Sequence, residues 1–71
     1  MTPLTQRQRQ VMEARAAGEK EREIALRLGC SVRAVASHQY RALKKLKTKS
    51  LEVGIRLWRK QEREDAVRAT T

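Results

Sequence analysis

The sequence predicts an all-α domain of four helices whose middle pair has the outline of a helix-turn-helix. Three observations carry that prediction. Residues 31–50, SVRAVASHQYRALKKLKTKS, hold Arg33, Arg41, Lys44, Lys45, Lys47 and Lys49 without an Asp or Glu, and repeat apolar residues at helical spacing. A short amphipathic segment, residues 21–28, precedes that stretch across Gly29. Helix-capping residues punctuate the chain at Thr5, Gly18, Gly29, Ser31 and Ser50.

The first helix is expected from about Gln6 to Ala17. Thr5 is a good N-cap, Gln8 three residues later completes a capping-box pattern, and Gly18 stops the helix. Its buried side is expected to hold Val11, Met12 and Ala16, with Arg7, Arg9 and Arg15 solvated. The second helix, Glu21 to Leu28, offers Ile24, Ala25 and Leu28 as a buried stripe, has Glu21 and Glu23 in its first turn, where acids favour the helix dipole, and ends at Gly29.

Ser31 is the natural N-cap of the third helix, expected from Val32 to Leu46. At about 100° per residue, Val32, Val35, Ala42, Leu43 and Leu46 fall on one side of it, and Arg33, Ser37, Tyr40, Arg41 and Lys44 on the other. Residues 47–49 form the break. Ser50 can cap a fourth helix, Leu51 to Glu64, with two apolar lines: Val53 and Leu57, and Leu51, Gly54, Ile55 and Trp58. One line can close the core; the second has a use only if another protein covers it. Asp65 to Thr71 reads as a frayed tail, so the single domain spans residues 1–71 around a core of about 4–64.

Composition narrows the function. With 71 residues, no Phe and one Trp, the core is thin, worth on the order of 3–5 kcal/mol, and oligomerisation or a ligand would help it. Cys30 is alone, which excludes an internal disulfide and a cysteine-based zinc site and suits a reducing cytosol. There is no membrane-length apolar run and no signal peptide, so no membrane partner is expected. The net charge of +9 points to a polyanion, and to nucleic acid before lipid, because the Val and Ala that the basic helix offers opposite its charges are weak for lipid.

Each candidate residue has a functional reading and a plainer one. Arg33, Arg41 and Lys44 can contact phosphates, or guanine edges in the case of Arg; the alternative is a solvated helix face. Tyr40 can touch a thymine methyl or a phosphate, or pack at the rim of the core, while Ser37 can read a base edge. His38 has no ligand-spaced partner for a metal or for catalysis, and Cys30 reads as a structural thiol in the turn. Trp58 is the best interface anchor, unless it folds back on its own core. The acids Glu13, Glu52, Glu62, Glu64 and Asp65 form no convergent pair, and neither a phosphate-binding glycine loop nor a nucleophile–base set is present, so an enzyme is not expected and no cofactor is implied.

Several stretches together resemble the LuxR-type (GerE-like) helix-turn-helix domain of bacterial transcription regulators. They are Leu4-Thr5-Gln6-Arg7 with Val11-Met12; Ala17-Gly18 followed by Glu23-Ile24-Ala25, Leu28-Gly29 and Ser31; Val35 and His38 with Leu43 and Lys45-Leu46; and Ser50-Leu51-Glu52. The resemblance covers about residues 4–60. It implies that the third helix enters the major groove, with Ala36, Ser37 and Tyr40 at the reading places and Arg22 of the second helix near phosphate. It also implies a two-fold dimer through the fourth helix, with Leu51, Gly54, Ile55 and Trp58 near that face. The chain departs from the family pattern at Ala36 (usually basic), Ala34 (usually Thr), Gln8 (usually an acid), Arg15 and Gln39 (usually apolar) and Lys20 (usually a small polar cap). A second resemblance, carried by residues 41–46, is to the promoter-reading C-terminal domain of sigma factors; His38 and the extra fourth helix favour the LuxR type.

The expected function is therefore a stand-alone, cytoplasmic, nucleoid-associated reader of double-stranded DNA, acting as a homodimer on half-sites about 10 bp apart. The alternative is a module that pairs with RNA polymerase or a larger regulator through residues 51–64.

Overall fold

The structure, a computed structural model, describes residues 3–70, with side chains described as far as Val67. Helix α1 spans Gln6–Ala16, α2 Glu21–Leu28, α3 Val32–Lys45 and α4 Leu51–Thr70, with no strand among the described residues. Met1 and Thr2 of the expected lead-in, and Thr71 at the end of the expected tail, lie outside the described residues.

The caps form locally. The Gln8 backbone N–H donates to Thr5 Oγ1 at 3.1 Å and the Thr5 N–H to Gln8 Oε1 at 3.1 Å, closing the capping box. The Ala34 N–H donates to Ser31 Oγ at 3.0 Å, so Ser31 starts α3 as expected. At the start of α2 the Lys20 side chain makes no cap bond; the Glu23 carboxylate instead accepts the Lys20 N–H at 3.3 Å.

The first three helices end in the same kind of left-handed turn. The Glu19 N–H returns to Ala14 O, the Cys30 N–H to Ala25 O and the Thr48 N–H to Leu43 O. The residue that turns left-handed is Gly18 (φ 90°), Gly29 (φ 68°) and Lys47 (φ 60°), respectively. Two of these are the glycines that the turn favours; the third is a lysine, which crowds its own Cβ there.

Helix α3 packs against each of the other three, and its burial divides into two clusters. Val11, Ala14, Ile24, Ala25 and Val35 join α1, α2 and α3, with Leu28 and Cys30 packed against them. Met12, Ala42, Leu43 and Leu46 form the second, closed by Leu4, Leu51, Ile55 and Trp58. Gln8 is buried as well: its Oε1 accepts from Lys45 Nζ at 2.9 Å, and the same ammonium donates to Pro3 O at 3.1 Å. Lys45 therefore ties the N-terminal segment to α3.

Four expectations are corrected. Ala14, not Ala16, is the buried alanine of α1, because it lies one turn beyond Val11 on the side facing α2 and α3. Leu46 follows α3 as its C-cap rather than ending it as a helical residue. Val32 is 45% exposed instead of buried, since it opens α3 where the helix has only begun to pass its neighbours. Helix α4 runs through Thr70 rather than ending near Glu64, as no Gly or Pro interrupts residues 55–70.

Helix α4 settles which of its apolar lines the core uses. Leu51, Ile55 and Trp58 are half-buried against the second cluster, and Gly54 lies under Leu43, whose side chain a methyl group at Gly54 would strike. The resemblance puts these four near a dimer face; in the folded chain they close its own core. Val53 and Leu57, each a little under two-fifths exposed, form the line left to solvent.

Candidate nucleic-acid interface

Packing of α3 on α1 and α2 buries Val35, Ala42 and Leu43 and turns the opposite side of the helix outward. Arg33, Ala36, Tyr40, Arg41 and Lys44 are exposed there and Ser37 is half-buried. These six residues occupy an arc of about 140° on one helix. Arg22 is also exposed, but on α2. The six α3 residues are thus brought onto one continuous surface, with Arg22 on the neighbouring scaffold.

Electrostatics single out this face. Three arginines outside it are engaged within the chain: Arg9 pairs with Glu62 at 3.0 Å, Arg27 pairs with Glu19 at 2.9 Å, and Arg15 donates to the Glu19 carbonyl at 3.0 Å. Among the described residues, no ion pair engages Arg33, Arg41 or Lys44. The Lys44 ammonium lies 6.0 Å from the centre of the Tyr40 ring, at the limit of a cation–π contact. At the C-terminal end of α3, Tyr40, Leu43, Lys44, Lys47, Thr48 and Lys49 line an open cleft. Three ammonium groups around one cleft suit phosphate oxygens, and the two arginines can also pair with guanine.

Sequence reasoning missed three features of this surface. Lys45 belongs to the basic run but is used internally, through Gln8 and Pro3. Lys47 and Lys49 join the cleft because the left-handed turn at Lys47 folds the chain back beside α3. Val32 is exposed at the start of α3 although it shares the core-facing side; the signal available for it was its place directly after the N-cap. His38 is half-buried, and among the described residues no group of three or more His, Cys, Asp or Glu is arranged to hold a metal. No described helix is long and apolar enough to cross a membrane.

A short scaffold helix, a tight turn and a second helix with an open cationic face define the helix-turn-helix class of DNA-binding domain. The family model for bacterial regulatory proteins of the luxR family (GerE) matches residues 2–58, and the chain belongs to that family. No curated protein and no solved structure matches it significantly. The family match ends at Trp58, within α4.

Proposed function

We propose that this chain is a sequence-specific transcription regulator that reads the DNA major groove with α3 and acts as a homodimer through α4. The observation that carries this reading is the make-up of the open face of α3: Arg33, Arg41 and Lys44 share it with no acid among them, and among the described residues no ion pair engages them. Affinity would come from phosphate neutralisation and counterion release, and sequence preference from α3 side chains at base edges. The test is selection of bound duplexes from a random pool, then titration of the selected duplex at two salt concentrations. Arg41→Ala with Lys44→Ala should weaken binding and make the log–log salt dependence shallower by about 2. Unchanged affinity and unchanged slope in that double variant would refute the reading.

A second reading is supported by α4. Val53 and Leu57 stay exposed, and Arg56, Arg59, Lys60 and Arg63 lie beside them around a shallow groove with Glu52 as its one acid. That surface suits an acidic, partly apolar protein, such as a larger regulator or an RNA polymerase subunit. A chain of this kind would bind DNA weakly and without a consensus.

A further inference from the structure

The open face of α3 has an apolar border. Val32 is 45% exposed, Ala36 is exposed and Tyr40 is 66% exposed. These residues recur at i, i+4 and i+8, so they form one apolar line along the helix. The adjacent line holds Arg33, Ser37 and Arg41 at the same interval, followed by Lys44. An apolar seam therefore runs beside a cationic rail on the same recognition helix.

The chemistry of the major groove limits what such a seam can read. Val and Ala side chains carry no donor or acceptor, so they cannot recognise the polar edges of guanine, cytosine or adenine. The apolar group that a base pair presents in that groove is the C5 methyl of thymine. The residue type best suited to adenine is withdrawn: Gln39, the one Asn or Gln of α3, is half-buried and its Oε1 is sealed from solvent. Successive seam residues stand about 6 Å apart along the axis, close to two base-pair steps of about 3.4 Å.

We propose that Val32 and Ala36, with the Tyr40 ring behind them, read thymine C5 methyl groups spaced about two base pairs apart, while Arg33 and Arg41 fix the register on phosphate or guanine. Val32 and Ala36 lie in the N-terminal half of α3, the part of a recognition helix that reaches base edges most deeply. This inference rests on the major-groove reading above and adds the group that is recognised. It also accounts for an exposed valine that the chain's own core does not use.

The test takes the duplex selected above and replaces each thymine in turn with deoxyuridine, which removes the methyl and leaves every hydrogen-bonding group in place. Fluorescence anisotropy titration of the full chain should show about fourfold weaker binding per lost methyl contact at one or two positions, with the salt slope unchanged. Val32→Ala, at an exposed site that alanine suits, should abolish the deoxyuridine effect at one of those positions and spare the others. Tolerance of deoxyuridine at every position, with the consensus retained, would overturn the methyl assignment and leave the groove reader standing. Sequence-blind binding from the outset would overturn both.

Discussion

Neighbouring lysines of α3 have unlike jobs. Lys44 is exposed beside Tyr40 and the phosphate-suited cleft, whereas Lys45 is half-buried and donates to Gln8 Oε1 and Pro3 O. One step along a helix rotates a side chain by about 100°, enough to move it from the open cationic face to the internal side. Removing either charge therefore has a different consequence. Lys44→Met is expected to leave stability within about 0.5 kcal/mol and make the salt dependence of DNA binding shallower by about 1. Lys45→Met is expected to cost about 1–2 kcal/mol, because the ammonium's bonds to Gln8 Oε1 and Pro3 O are both lost while Gln8 keeps only the Thr5 N–H, and to leave the salt slope unchanged. Urea unfolding together with anisotropy titrations distinguishes the two, and an exchange of these effects would contradict the assignment.

At the scale of elements, the joint between α3 and α4 determines where the fourth helix goes. The turn places Lys47 at φ 60° and sends the Thr48 N–H back to Leu43 O, while Gly54 lets α4 settle over the Leu43 side chain. A non-glycine residue in that backbone region is strained by about 1–2 kcal/mol, of which glycine would return about 0.5–1 as lost chain entropy. Lys47→Gly should therefore raise stability by about 0.5–1 kcal/mol and the thermal midpoint by about 2–8 °C. Thermal unfolding followed by circular dichroism checks this; a lowered midpoint would mean that the lysine's contacts outweigh its backbone strain.

For the whole molecule, the long axis is that of α4. A 20-residue helix is about 30 Å long, and the molecule measures 39 × 23 × 20 Å. Such a helix extends past the two small clusters and offers Val53, Leu57 and a row of cations to whatever meets it. Two partly exposed apolar residues are a small seed for association, so the proposed dimer should draw on DNA to align its halves. Leu57→Asp is expected to leave folding and single-half-site affinity unchanged but lower affinity for a duplex with two half-sites about 10 bp apart by about tenfold. Equal loss on both duplexes, or none on either, would remove α4 from the dimer.

Much of this architecture can be read locally. The Thr5–Gln8 capping box, the Ser31 cap, the glycine stops at 18 and 29 and the cationic face of α3 each depend on residues within one or two helical turns of one another. The order of the helices, their starts and the helix that carries a cationic face thus follow from the amino-acid order alone. It gave no sign of the left-handed lysine, because that turn is closed by backbone bonds and α4 holds its geometry. Three matters needed the packed chain: that Val32 stays exposed, that Lys45 serves the interior, and that the line of Leu51, Gly54, Ile55 and Trp58, rather than Val53 and Leu57, closes the core. The reason is geometric. Periodicity says which residues share a face, but only the placement and length of the neighbouring helices determine which part of that face is covered.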